Sequence, residues 1–433
     1  MKSRHKRLAA AVSAAALGLT AAGCEGSAES DISQSTTTLS GRGPITVAMP
    51  TTDVKARKSV VDAWNADHPD EKATIVDLGA AADQQRQLLI QNAQTESDEY
   101  TVVLLDVVWT AEFAANRWVK ELDATLYPID EMLKPAVDTA TYRDKLYAVP
   151  VNSEGGMFYY RTDLLKAAGI AEPPTTWEEM EQDCKLIQAT PEGKGIGCYA
   201  GQFDKYEGLT VNFSEAVDSA GGEIVGSDGQ PNVDTPEALT GLTTLVDAFK
   251  TGVIPPEALT YQEEDGRQAF QDGKLIFERQ WAYMNPLANA TDGSSKVAGK
   301  FATTTIPGIG DNPGATTLGG HNLAISAFAE NTQTASDFIA YMASEDAQQS
   351  TMESSGIAPA TASVYDDQAL IDKYPYLPTL KASNETAVPR PIAVNYGDVT
   401  AAIQNEAYAA ISGDKTPEQA LKDLQAELES IID

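Results

Sequence analysis

Between Pro44 and Asp106 the chain alternates two kinds of hydrophobic spacing, and that alternation leaves few folds open. Ile45-Thr46-Val47-Ala48-Met49 alternates like a strand. A helical spacing follows through Val60, Val61 and Trp64 and stops at Pro69. Ala73 to Leu78 reads as a second strand, and Asp83 to Gln94, with Leu88, Leu89 and Ile90, as a second helix. Tyr100 to Leu105 is a nearly continuous apolar run, as expected of a strand buried on both faces. Strand, helix, strand, helix, strand is the rhythm of a parallel sheet covered by helices, which places the chain in the α/β class. In open sheets of that kind ligands bind beyond the carboxyl ends of the strands. Asp106 stands at such an end, and Trp109 follows one short step later.

The second half is punctuated in the same style. Thr176-Trp177-Glu178-Glu179, after Pro173-Pro174, has the form of a capping box opening a helix. Thr416-Pro417-Glu418-Gln419 opens another, with Leu421, Leu424, Leu428 and Ile431 along one face. No short internal repeat argues for a solenoid or propeller. A length of 433 residues implies two lobes, and a hydrophobic content of 42% is enough to fill their cores.

The amino-terminal segment concerns location. Lys2, Arg4, Lys6 and Arg7 precede an apolar run from Leu8 to Leu19, and the small residues Thr20-Ala21-Ala22-Gly23 lead into Cys24. This is the layout of a secretory signal over residues 1–23. The cysteine after the small residues resembles the lipobox of bacterial lipoproteins, although Ala21 stands where a large aliphatic is usual. The resemblance implies acylation of Cys24 and anchoring at the outer face of the cell membrane. The competing reading is a plain secretory signal with a cysteine at its cleavage site. Residues 24–43, rich in Ser, Thr and Gly, read as a flexible tether.

Removing the four signal cations from a formal charge of −32 leaves −36 on the mature body. Such a surface is repelled by phosphate backbones, so nucleic acid is excluded as a partner. In an exported chain Cys184 and Cys198 are expected to form a disulfide closing a short Gly-rich loop. His5, His68 and His321 have no metal-ligand spacing, and neither a metal nor a cofactor is expected.

A series of segments in order resembles the extracellular solute-binding proteins of ABC importers, in the branch that binds sugars. They begin with Ala63-Trp64-Asn65-Ala66-Asp67-His68-Pro69-Asp70 and Leu105-Asp106-Val107-Val108-Trp109-Thr110-Ala111-Glu112-Phe113. Lys145-Leu146-Tyr147-Ala148-Val149-Pro150 and Gly155-Gly156-Met157-Phe158-Tyr159-Tyr160-Arg161-Thr162-Asp163-Leu164-Leu165 come next, the latter followed by Pro173-Pro174-Thr175-Thr176-Trp177-Glu178-Glu179. Phe270-Gln271-Asp272-Gly273-Lys274 and Gly319-Gly320-His321-Asn322-Leu323-Ala324-Ile325 complete the set. The resemblance implies a type II periplasmic-binding-protein-like fold, with two α/β lobes, a hinge and a ligand cleft between them. Lobe I is expected over 44–152 plus 318–355, and lobe II over 153–317 plus 356–433, with crossings near Asn152, Gly319 and Gly356. The run Tyr206-Glu207-Gly208-Leu209-Thr210-Val211-Asn212-Phe213, with Asp106 and Trp109, looks most like actinobacterial binders of trehalose, maltose or related glucosides.

A sugar needs fixed donors and acceptors for its hydroxyls and aromatic rings for its C–H faces. At positions where the family places its contacts, the chain offers Asp106 as a hydroxyl acceptor, or as a helix cap, and Trp109 beside it. Asn152 is a donor and acceptor at a crossing, or a turn residue. Glu263 or Glu264 reaches the cleft or stays a solvated acid. Trp281 and Tyr283, alternating along a strand-like run, form a stacking platform unless they pack in the core. Gly319 and Gly320 admit a ligand close to the backbone or simply allow a bend. Arg390, between Pro389 and Pro391, presents a rigid fork to a hydroxyl or an acid. Gln84 and Gln85 are minor contacts, and Trp64, Trp118 and Trp177 belong to the cores.

The function this implies is capture of a di- or oligosaccharide by lobe closure, and delivery by a monomer to the transmembrane subunits of an ABC permease. The alternative is a secreted glycoside hydrolase with paired carboxylates. No nucleophile elbow, His-Glu-x-x-His or phosphate-cradling loop supports an enzyme. A peptide or metal-chelate ligand on the same fold stays open.

Overall fold

The computed structural model describes residues 38–432. Eleven strands are present: β1 (Ile45–Met49), β2 (Ala73–Asp77), β3 (Val102–Asp106), β4 (Thr141–Tyr142), β5 (Lys145–Leu146), β6 (Val149–Gly155), β7 (Met157–Arg161), β8 (Gly197–Ala200), β9 (Leu275–Gln280), β10 (Phe301–Thr304) and β11 (Leu318–Ile325). The first lobe is built on a sheet ordered β2-β1-β3-β11-β6, and the second on one ordered β10-β7-β9-β8. β1 runs parallel to β2 and β3, while β11 runs antiparallel to β3 and β6. All three amino-terminal strands therefore end at one edge, beside Gly319, Gly320 and Asn152.

The periodicities in the sequence map closely onto these elements. The helix expected to stop at Pro69 spans Thr51–Asp67, and the next spans Ala82–Gln94. β3 has four apolar residues buried and only Asp106 partly exposed, because helices cover both faces and the strand end alone reaches the cleft. Thr176 caps the Glu179 amide of helix Trp177–Gln188, but the Glu179 carboxylate bonds Thr175, so the box is shifted by one residue. In the same helix Cys184 is disulfide-bonded to Cys198 of β8, with Cα atoms 5.5 Å apart. Helix Pro417–Ile431 is capped by Thr416 and buries Leu421, Leu424 and Leu428.

Two separate apolar cores result, one per sheet, holding Trp64 in the first and Trp177 in the second, with Trp118 packed against the first. The chain stays in the first sheet through Gly155, and Gly156 alone separates it from β7. A side chain at Gly156 would overlap the Arg279 guanidinium, which explains why the crossing needs glycine. Gly356, with φ of 78°, ends helix Glu345–Ser355 in the left-handed conformation before the last passage.

At the opposite end of the first sheet the chain is pinned before β1 begins. Ser40 N–H donates to Thr332 Oγ1 (2.8 Å) and Gly43 N–H to Thr334 Oγ1 (3.2 Å). Arg42 bridges Glu71 (3.0 Å) and Asp337 (2.7 Å). Among the described residues no helix is long and apolar enough to cross a membrane. The signal segment and Cys24 lie outside the described residues.

Candidate functional site

Three charged networks converge where the strands of the first lobe end. The first bridges the lobes. Asp106 Oδ1 accepts from the Val108 N–H (3.2 Å), turning the chain toward helix Thr110–Ala115, and from Arg390 Nη2 (2.7 Å). Arg390 Nη1 donates to Glu207 Oε1 at 2.5 Å. Prolines flank Arg390, and Val388 exchanges backbone bonds with Thr316 and Leu318, so the guanidinium has little freedom. Glu207 opens helix Glu207–Ser219 and also accepts from the Tyr396 hydroxyl and from Thr400 Oγ1 (2.8 Å). Burial pushes the Glu207 carboxyl above the ordinary range, Arg390 opposes that shift, and Asp106 adds to it.

The second network forms the floor of the first lobe. Arg57 is fully buried, donating Nε–H to Asp53 Oδ1 and Nη2–H to Asn152 Oδ1, both at 2.9 Å. His321 lies between Asp106 and Asn152 in the strand register, with Nδ1 4.0 Å from Asp53 Oδ2. Glu154, on the same face of β6 as Asn152, accepts from the Ala282 N–H of the second lobe (3.3 Å). Burial raises its carboxyl to about 7, with the Ala282 bond opposing.

The third network is the wall of the second lobe. Glu215 grips Arg279 in a bidentate pair (2.8 and 2.6 Å), and the guanidinium stacks 3.8 Å from the Trp281 ring centroid. One indole face is thereby covered, and the half-buried ring keeps its remaining surface for another partner. Tyr283 donates to Glu264 Oε1 at 2.9 Å, and Tyr206 faces Glu263, whose carboxyl burial drives upward. Arg57 Nη1, His321 Nδ1, Arg390 Nε and the Tyr206 hydroxyl are buried with no hydrogen-bond partner among the described residues. Buried polar groups normally find partners, and a polyol supplies both donors and acceptors.

The expected residues divide accordingly. Asp106, Asn152, Glu263, Glu264, Trp281, Tyr283 and Arg390 all belong to these networks, and Asp106 is both turn cap and acceptor. Trp109 does not: the chain turns after β3, with Trp109 N–H donating to Asp106 O, and the ring is 2% exposed in the core of the first lobe. Gln85 is also withdrawn, its amide donating to Gly79 O and Ala80 O to hold the loop before its helix, while Gln84 is exposed. Trp281 and Tyr283 do not alternate on a strand, because β9 ends at Gln280 and Tyr283 is already helical in conformation. Gly319 makes room for Trp281, since a Cβ there would lie 2.8 Å from its Cη2. Gly320 has φ of 126° and serves the bend. Asp53, Arg57, Glu154, Glu207 and His321 were not singled out from the sequence. An Asp–Arg pair at i,i+4 in the first turns after a strand was the available signal for the first two.

Fixed carboxylates, guanidinium groups and a stacked indole gathered where two α/β lobes meet are the arrangement of a solute-binding protein. A family described as bacterial extracellular solute-binding protein matches residues 50–349, and the chain belongs to that family. A "probable ABC transporter-binding protein" of Deinococcus radiodurans is 30% identical over 382 residues, covering 86% of this chain and 90% of that one. Maltose-bound MalE3 of T. maritima superposes with a TM-score of 0.85 at 30% identity, covering 89% of this chain and 99% of that structure. A mannitol-binding protein of Pseudomonas aeruginosa is 24% identical over 294 residues, or 66% of each chain. The protein is thus a bacterial extracellular solute-binding protein of the kind that serves ABC transporters, not an enzyme, and the hydrolase alternative is set aside.

Proposed function

We propose that the protein captures a di- or oligosaccharide, a glucoside of the maltose or trehalose kind, by lobe closure and delivers it to a membrane permease. The observation that carries this reading is the Asp106–Arg390–Glu207 bridge, which joins acids of the two lobes through one rigid fork. Hydroxyls would be bonded by charged groups, whose hydrogen bonds are stronger than neutral ones, and a pyranose face would rest on the indole. The maltose bound by the T. maritima neighbour supports a glucoside. We further propose a monomer held at the outer membrane face through acylated Cys24, which Cys24→Ala should release from membrane fractions.

The test is a thermal-shift panel of trehalose, maltose, sucrose, cellobiose, xylobiose and glucose. A gluco-disaccharide should raise the melting temperature saturably, without products. Asp106→Ala and Trp281→Ala should each abolish that shift while leaving the unliganded melt largely intact. A shift retained in both variants would remove these residues from the site.

A further inference from the structure

Beside the site, the lobes meet along a seam that begins at Tyr396, whose hydroxyl donates to Glu207. Tyr396 opens helix Tyr396–Ile411 of the second lobe, yet it is fully buried and packs with the apolar core of the first. The next residue, Gly397, lies so close to Arg86 that a Cβ there would overlap the guanidinium. Arg86 cannot easily retreat, because Glu112 holds it from behind with bonds of 2.9 and 2.5 Å. On the first turn of helix Ala82–Gln94, which also carries Arg86, Asp83 faces the Gln404 carboxamide and the backbone N–H of Glu207. That helix follows β2, so its amino end stands at the cleft edge of the first lobe. The seam therefore closes on the same side as the site and parts when the lobes part.

We infer that Tyr396, Gly397 and Gln404, docking on Asp83 and Arg86, set how firmly the closed form is held, and so tune sugar affinity without touching sugar. This rests on the capture-by-closure reading above. A ligand that binds only the closed arrangement has an apparent Kd equal to its intrinsic value divided by the closed fraction. Contacts that form only on closure raise that fraction, whereas contacts within one lobe leave it unchanged. The seam is also sensitive to protons. Burial raises the Asp83 carboxyl above its ordinary value, Gln404, the Glu207 amide and Arg86 oppose this, and Asp106 adds to it. Glu207, with Arg390 and Tyr396 against it, is the other titrating neighbour. Docking against a carboxyl whose value is raised takes up protons, so affinity rises as pH falls.

Gly397→Val drives a side chain into Arg86 and is the decisive variant. With the panel sugar that shifts the parent most, its Kd should rise about tenfold, with faster dissociation and an unchanged unliganded melt. Asp83→Asn, nearly isosteric, should flatten the pH dependence of affinity, which a purely structural role would not do. A Gly397→Val affinity within about twofold of the parent, or an Asp83→Asn pH profile identical to the parent's, overturns the inference. If Gly397→Val fails to fold, the pH profile decides. Small-angle scattering separates the two readings. A parent that does not contract with that sugar sinks capture by closure, whereas a parent that contracts beside an unaffected Gly397→Val sinks only the seam.

Discussion

Glu207 and Glu278 are both buried carboxyls of the second lobe, and their surroundings could hardly differ more. Glu207 stands where the lobes meet and receives Arg390, Tyr396 and Thr400. Glu278 lies within β9, fully buried against Gly266 of helix Glu263–Gln271, and neither of its oxygens has a hydrogen-bond partner among the described residues. Burial pushes the Glu278 carboxyl well above its ordinary range. Glu207 is thus held by a guanidinium and two hydroxyls, whereas Glu278 is buried with no partner among the described residues.

The largest break in this comparison comes from Arg390→Met. Buried Glu207 and partly exposed Asp106 would lose their counter-charge, at a cost of roughly 3–5 kcal/mol. A lower denaturant midpoint and loss of sugar-induced stabilisation should appear together. Replacing both Cys184 and Cys198 by Ala is the reference for the lobe interior. It releases a disulfide spanning 14 residues, should lower stability by about 2–4 kcal/mol, and should leave sugar affinity alone, measured by calorimetry. The smallest effect has the opposite sign. Glu278→Met should raise stability by roughly 1 kcal/mol near pH 8. Because the folded-state pKa of Glu278 is raised, the native form keeps a proton that the unfolded chain releases. Its contribution is complete below the unfolded value of 4.5 and declines as pH rises above it. Denaturation midpoints in Glu278→Met should fall less between acid and alkaline pH than in the parent. Equal slopes would mean that Glu278 ionises freely in the fold.

Much of the fold was legible because its signals are local. The five-residue span of β1, the helix stop near Pro69 and the Thr416 cap follow from neighbours a few positions apart. Asp106 and Arg390 were legible for the same reason, one ending an apolar strand and the other locked between prolines. Glu207 was not, since its partners lie more than 180 residues away in sequence. Arg57, in Lys55-Ala56-Arg57-Lys58, reads as a solvated basic face, and only the folded position of Asn152 reveals it as buried. Trp109 was misplaced because its nearness to Asp106 along the chain says nothing of direction, and the turn after β3 sends its ring into the core of the first lobe.

The pinning of Ser40, Arg42 and Gly43 onto the start of helix Thr332–Ala343 has a mechanical consequence. Those bonds sit at the far end of β11 from its entry at Leu318, a strand length of about 25 Å from the hinge. Tension applied ahead of Ser40 is therefore taken up by the base of the first lobe as shear across short polar clasps. Little of that force has leverage on the joint between the lobes.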